Sequence, residues 1–407
     1  MKIIFLSMMF SDAESDIRKS KTPNSVSGHK FQENLIKGLY ENDCNLSVMN
    51  ISRIGTYPGY PKIILHTQKK QWCGAVDGVD VGFVNLPFLS YFSQWFVSFF
   101  ALRKEIKKNK NEKYVLVTFN SNLHTCFPMQ WIRRLYKNVT LCNIIGDLHG
   151  TYGIENRTPG LKGKLIRFVE GFQDSIGKKF DSFVFLTKEM AKAMGVEHKP
   201  HCVVEGIYTL DQKMAYINRA TEDNTKKVFY AGSLCQEYGI EHLLRAFAMI
   251  EDPDYRLWLA GDGDTVPLIE KYAARDPRIQ YLGFITPQEV KERQSLATVL
   301  ISPRTSEHEF VKYSFASKTL ECLASGKVYI AHKLPCDPPE YADYIQYAEA
   351  ESDQALRDKI VELCEMRQEQ RNAIGQHARK FVQEEKNPKA MCKRIIDMWS
   401  GVLNSGN

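Results

Sequence analysis

The sequence predicts an α/β protein of two domains, each built on a mostly parallel sheet. Three observations carry that reading. Short apolar runs alternate with longer helical stretches from end to end, the signature of repeated β-α units. The chain has 407 residues, more than one hydrophobic core usually serves. A polar break, TLDQKMAYINRATEDNTK, interrupts the alternation over 209–226, and VFYAG then opens a second series.

In the first series the apolar, β-branched-rich runs predict strands at Ile3–Ser7, Leu46–Ile51, Tyr114–Phe119, Thr140–Ile145, Ser182–Leu186 and Cys202–Val204. Helices are expected near 28–41, 88–108, 127–136, 160–178 and 187–193. Residues 53–80 hold tyrosine, glycine and proline without a period and read as irregular. In the second series strands fall near 228–231, 255–260, 279–282, 298–302 and 328–331. Helices near 239–249, 264–274, 287–297 and 317–325 separate them. Thr286-Pro287-Gln288-Glu289 is a capping box with proline in the first turn, a well-defined helix start. From Gln354 onward the chain reads as helical, closing on KNPKAMCKRIIDMWSGVL with an apolar stripe of Met391, Ile395, Ile396 and Trp399. The expected organisation is a first domain over 1–208, a linker over 209–226, a second domain over 227–385, and a terminal helix over 386–407 that packs back on the first domain.

Hydrophobic content of 43% and charged content of 25% are those of an ordinary globular chain. A net charge of +6 is too small to point to nucleic acid but suits an anionic ligand or an acidic membrane surface. The ten cysteines are scattered without a CxxC pair, as expected of reduced thiols in a cytoplasmic protein. MKIIFLSMMF reads as a first core strand instead of a signal peptide.

The segment FVNLPFLSYFSQWFVSFFALRKEIKKNK (83–110) is aromatic and then abruptly basic from Arg103. Asn85, Pro87 and Gln94 interrupt it, so it is not a membrane span. Leu89, Phe92, Phe96, Phe99 and Phe100 recur at helical spacing. Two readings stay open: a helix packed on a sheet, or a helix lying on an anionic membrane at its inner face.

Ligands of parallel α/β sheets bind beyond the carboxyl ends of the strands. In the second half those ends are AGSLCQEYG (231–239), AGDGD (260–264), LGFIT (282–286), SPRTSEHEF (302–310) and YSFASKTLECLASG (313–326). GDGD fits a tight turn as well as a phosphate or base contact, and no GxGxxG fingerprint occurs. The last stretch is more informative. Ser314, Ala316 and Ser317 leave room at a helix start, where free N–H groups and partial positive charge hold phosphate. Leu320, Leu323 and Ala324 mark the core face of that helix, and Lys318, Glu321 and Ser325 mark a second face. Glu321 could accept the two hydroxyls of a ribose, or it could simply pair with Lys318 at the surface.

Taken in order, AGSLxxxYGIxxLLRAFA, LWLAGDGD, IQYLGFITPQEV and SPRTSEHEFVKYSFASKTLECLASGKVYIA resemble the nucleotide-sugar half of glycosyltransferase family 4, over about residues 200–385. The resemblance is looser over 1–200, where VVEG (203–206) is the best match. It implies the GT-B fold, two Rossmann-like domains facing across a cleft, and a retaining hexosyltransferase. It also implies donor-binding roles residue by residue. Glu321 matches the second glutamate of the family's paired-glutamate motif, which holds the donor ribose. Ser317 and Lys318 lie at the helix start that meets the diphosphate, directly after the donor-binding run Lys312, Tyr313, Ser314, Phe315, Ala316. Phe284 and Ile285, after Gly283, match the strand end whose backbone reads the base. Gly232 matches the turn glycine under the phosphates.

This chain departs from the family's donor-site pattern at three positions. Tyr313 stands where the first glutamate is expected, and Ser233 and Tyr238 stand where an arginine and a lysine neutralise the diphosphate. A diphosphate does not sit uncompensated in a partly desolvated site, so Arg304, Lys312 and Lys318 are the expected substitutes. A variant family pattern of proline-arginine, tyrosine-serine-phenylalanine and serine-lysine is similar to this stretch and favours Arg304.

On the first domain, SVSGH (25–29) opens a helix after strand one, and its Gly28 is what remains of the family's glycine-rich first turn. Ser27, Gly28 and His29, with Asn120 and Asn122 of TFNSNLH, are the expected acceptor-binding set. NIIGDLHG (143–150) brings Asp147 and His149 to a neighbouring strand end, the expected catalytic pair beside Arg304. The resulting expectation is transfer from a UDP-sugar, with a GDP-sugar open, to a hydroxyl of a glycan or lipid-linked acceptor. No metal or cofactor is expected, because a basic clamp can do the ion's work. A non-catalytic nucleotide-sugar-binding subunit and a UDP-sugar epimerase of the same architecture are the alternatives.

Overall fold

The computed structural model describes residues 1–11, 26–148, 160–209 and 225–405. The chain forms two compact units: Met1–Ile207 with Pro388–Asn407, and Tyr208–Asn387. Each carries its own sheet and core.

The first unit holds an eight-stranded sheet in the order β3-β4-β2-β1-β5-β6-β7-β8. Its strands are β1 (Lys2–Ser7), β2 (Asn45–Asn50), β3 (Gln68–Trp72), β4 (Val76–Asp80), β5 (Tyr114–Phe119), β6 (Val139–Ile145), β7 (Ser182–Phe185) and β8 (His201–Val203). All pairings are parallel except β3 with β4. The helices are α1 (Val26–Glu41), α2 (Leu89–Ile106), α3 (Leu123–Leu135), α4 (Gly160–Gly177) and α5 (Lys188–Met194). β5 is buried at all its positions, which is why it reads as a continuous apolar run with no alternation.

The β3–β4 hairpin is what the irregular reading of 53–80 missed. Of β3 only Trp72 is buried, so the strand QKKQW has no apolar alternation to detect. Its turn uses Cys73 and Gly74, both at positive φ. Helix α3 also begins one turn before the expected 127, with Pro128 inside it.

The second unit holds six parallel strands in the order β11-β10-β9-β12-β13-β14. They are β9 (Lys226–Ser233), β10 (Tyr255–Asp262), β11 (Ile279–Tyr281), β12 (Val299–Ser302), β13 (Val328–Ala331) and β14 (Gln346–Tyr347). Its helices are α6 (Ile240–Ala248), α7 (Val266–Ala273), α8 (Pro287–Leu296), α9 (Ser317–Ala324), α10 (Asp353–Glu365) and α11 (Gln368–Glu385). β9 alternates strictly: Val228 and Tyr230 enter one core with Leu243, Phe247 and Leu356, while Phe229 enters another with Leu320, Leu323 and Phe381. The sheet is therefore covered on both faces, as a parallel sheet must be. The capping box forms: Thr286 Oγ1 accepts from the Glu289 N–H, and the Thr286 N–H donates to Glu289 Oε2 at 2.7 Å.

The last helix, α12 (Pro388–Ser405), belongs to the first unit. Met391, Ile395 and Trp399 are buried in the same core as Ile3 and Leu35. Gly38 of α1 permits the approach, since a Cβ there would lie 2.1 Å from the Pro388 carbonyl oxygen.

Read from the middle strands outward, both sheets follow the doubly wound order. Strand order reverses between β1 and β5 in the first unit, and between β9 and β12 in the second. Those two switch points are where such sheets offer a ligand crevice.

Candidate functional site

At the second unit's switch point β12 ends at Ser302, and Pro303-Arg304 follow. Helix α6 begins close by at Gly239, whose φ of 75° and tight contact with the Pro303 carbonyl, 2.2 Å from any added Cβ, admit only glycine. Arg304 is 3% exposed. Its guanidinium lies over the rings of Phe310 (4.9 Å) and Tyr238 (5.6 Å). Nη1 donates to the Ser314 carbonyl at 3.1 Å. Among the described residues its Nε and Nη2 are buried without a hydrogen-bond partner. A buried guanidinium held by aromatic faces, with two donors unsatisfied, is costly unless an anion completes it. Tyr238, which replaces a basic residue in the resembled pattern, thus forms part of the slot that holds the substitute charge.

Ser314 leads into α9. Its N-cap, Ala316, offers no side-chain cap, and no acidic residue occupies the first turn. An uncapped helix start with nearby positive charge is suited to phosphate. Lys318 and Glu321 are paired at 2.9 Å, with Glu321 the better covered of the two. Phe315 is different: its ring is buried against Tyr341, so only its backbone faces outward chemistry. Tyr313 and Lys312 close the short helical turn Glu309–Tyr313. Gly232 and Ser233 end β9, where Tyr230 Oη donates to the Ser233 carbonyl at 2.7 Å. Gly283, at φ 69°, turns the chain after β11 and leaves Phe284 85% exposed beside Ile285.

Two groups near these strand ends were not singled out in the sequence. Asp337 accepts from the Leu334 N–H and from Tyr347 Oη, both at 3.0 Å, and burial raises its pKa against the pull of Arg304. His332, just past β13, meets His242 at 3.0 Å between their Nε2 atoms, and His242 Nδ1 contacts Asp353. Burial pushes His332 down to about 4. These partners lie 90 and more residues apart, so no local motif could announce them. Among the described residues, Cys235, Glu237 and Asp264 bring potential metal-ligand atoms within 4.8 Å. Asp264 Oδ1 there also accepts from the Gln236 N–H at 2.9 Å, tying the turns after β9 and β10.

In the first unit the strand-end residues are engaged with the backbone. Asn120, at φ 61°, accepts on Oδ1 from the N–H groups of Gly146 (2.7 Å) and Asp147 (3.3 Å). Asn122 donates to the Phe119 carbonyl at 3.2 Å. His29 is buried, accepts on Nδ1 from the Phe10 N–H at 3.3 Å, and pairs through Nε2 with Glu33, whose pKa that bond lowers. Ser27 and Gly28 lie in the first turn of α1, where Gly28 accepts from Gln32 Nε2 at 3.1 Å. Asp147 is exposed beyond β6, and His149 lies outside the described residues. His124 was passed over in the sequence. It is buried, contacts the Met8 sulfur at 2.9 Å, and burial pushes its pKa to about 4.

Residues 215–381 match the family model for glycosyl transferases group 1. The uncharacterized glycosyltransferase YqgM of Bacillus subtilis strain 168 is 26% identical over 133 residues, 31% of this chain and 36% of its own length. The matched part thus spans about a third of that relative. Sucrose-phosphate synthase from Thermosynechococcus elongatus superposes with a TM-score of 0.62 at 15% identity, covering 100% of both chains. A TarM variant from S. aureus, solved with fondaparinux, alpha-GlcNAc-glycerol and UDP, superposes with a TM-score of 0.58 at 11% identity, covering 99% of this chain and 100% of that one. The fold is that of the GT-B glycosyltransferases, and the sequence matches point to the same class of protein.

Proposed function

We propose that this chain is a retaining glycosyltransferase. It moves a sugar from a nucleotide-diphosphate donor, a UDP-sugar, to a hydroxyl of a glycan or lipid-linked acceptor, without a metal. The observation that carries the reading is Arg304: a buried guanidinium with two unpaired donors, tied to the residue that leads into an uncapped helix start. In this reading the diphosphate binds across Arg304 Nε and Nη2 and the first turn of α9. Glu321 leaves Lys318 to clasp the ribose hydroxyls, and Lys318 turns to the phosphates. The backbone after Gly283 meets the base.

The reaction breaks the bond between the sugar's anomeric carbon and the phosphate oxygen, and the nucleoside diphosphate leaves with the electron pair. The acceptor oxygen attacks the same face, and its proton passes to the departing phosphate oxygen. Arg304 and the helix start stabilise the charge that grows on the leaving group, the largest contribution a protein makes to such a step. In this reading Asp147, exposed on the first unit, receives an acceptor hydroxyl, with Ser27, Gly28 and Asn122 as further acceptor contacts.

Thermal shift against UDP, GDP, ADP and CMP, followed by donor hydrolysis and transfer, tests the reading. UDP should give the largest shift, and Arg304→Ala and Glu321→Ala should each reduce it. If neither variant changes the shift, the donor-site assignment is wrong. Transfer that disappears with a chelator and returns with a divalent cation would overturn the metal-free part, and Cys235, Glu237 and Asp264 would become the candidate ligands. A nucleotide shift with no turnover on any donor and acceptor would favour a binding subunit.

A further inference from the structure

Helix α2 carries its apolar residues on the wrong face for a core helix. The positions it buries are Ser90, Ser98, Leu102 and Ile106. Leu89, Tyr91, Phe92, Phe96 and Phe100 are exposed, Phe92 at 63% and Phe100 at 58%. Ser98 and Phe100 are two residues apart, about 200° around a helix, so serine faces inward while phenylalanine faces out. The neighbouring helix continues the face: Trp131 of α3, itself 43% exposed, lies edge-on to Trp95 at 5.4 Å, and Phe99 lies 6.2 Å from Trp131. Helix α4 also leaves Phe168 and Phe172 exposed, one turn apart.

The charges around this face are predominantly basic. Residues 83–137 hold nine lysines and arginines against two glutamates, an excess larger than the net +6 of the whole chain. One of the glutamates, Glu105, is already paired with Lys2 at 2.7 Å and Lys108 at 2.6 Å. Lys104, Lys107, Arg134 and Lys137 are exposed.

We propose that the α2–α3 face docks on an anionic phospholipid bilayer. The exposed aromatics enter the headgroup and upper acyl region, and the basic side chains contact lipid phosphates. The charge disfavours the simplest rival, because two copies joined through this face would bring two basic rims together. Among the described residues no helix is long and apolar enough to cross a membrane, so the contact lies in the interface plane. The proposal stands independently of the sugar-transfer reading.

The test is co-flotation of the full chain with phosphatidylcholine vesicles, with and without phosphatidylglycerol. Binding is expected only with the anionic lipid, weakening as salt rises. Phe92→Glu with Phe96→Glu, and separately Lys104→Glu with Lys107→Glu, should each lower the bound fraction about tenfold or more. Both pairs are exposed, so unchanged circular dichroism and melting confirm that each variant is folded. Wild-type protein that stays with the unbound fraction overturns the proposal, as does flotation that the aromatic variant leaves intact. A wild-type dimer that fails to float, and that Phe92→Glu with Phe96→Glu converts to monomer, would assign the face to self-association instead.

Discussion

The two sheets share a doubly wound reversal of strand order but differ in what lies at the switch point. In the second unit a buried arginine keeps two donors unpaired, held by aromatic rings and by one carbonyl. In the first unit Asn120, His29 and Asn50, near the strand ends, are hydrogen-bonded within the protein. Asn120 clamps the turn after β6, His29 bridges the Phe10 N–H and Glu33, and Asn50 accepts from Ser7 Oγ at 3.0 Å while donating to Asp80 at 2.8 Å. Polar residues at a strand end therefore do not identify a ligand site. A buried charged group with unsatisfied donors is the more informative feature, because its desolvation cost is recovered when an anion binds.

The sharpest way to break this contrast is at Arg304. Arg304→Ala should lower transfer by about a hundred- to a thousandfold, the loss typical of removing one preorganised stabiliser of developing charge. Arg304→Lys should fail to restore it, because a point charge cannot offer two parallel donors or lie flat on Phe310. Steady-state transfer assays read both, and full activity in the lysine variant would reduce Arg304 to a structural cation.

If the first unit's polar groups are structural, they should register in stability instead. Burial holds His124 near 4, against an ordinary value of 6.5. The unfolded chain therefore takes up the proton first as pH falls. Stability is complete above 6.5 and declines between 6.5 and 4, by on the order of 3 kcal/mol. Urea unfolding across that range should show the decline, and His124→Gln should flatten it. His332 in the second unit shares the same direction, so the wild-type slope contains both.

Asn120→Ala should cost about 2 kcal/mol, from the lost clamp and from placing alanine at a left-handed φ. Its nucleotide shift should be unchanged. A variant that melts normally but loses transfer would instead make Asn120 an acceptor ligand. Least of all, Thr286→Ala should remove a cap worth about 1 kcal/mol, lowering the melting temperature with no change in nucleotide response.

Much of the molecule was legible without coordinates. The α/β class, the strand ends that carry the candidate site, and the Thr286 cap all follow from period and local chemistry, which neighbours in sequence largely decide. The β3–β4 hairpin was not legible, because four of five β3 residues are polar and only Trp72 is buried, which leaves no apolar alternation. The aromatic period of α2 announced a helix but not its orientation: Phe92 and Ser98 suit either face until the helices around them are placed. Arg304 was visible as a charge in SPRTSEHEF. Only the packing of Tyr238, Phe310 and Ser314 around it left two of its donors without partners. The pairing of His242 with His332 and Asp353 had no sequence signal at all. Sequence determines what each segment prefers, through interactions a few residues long. Which polar groups end up satisfied, and which apolar face stays in contact with water, depends on contacts between distant segments, and those only the tertiary structure decides.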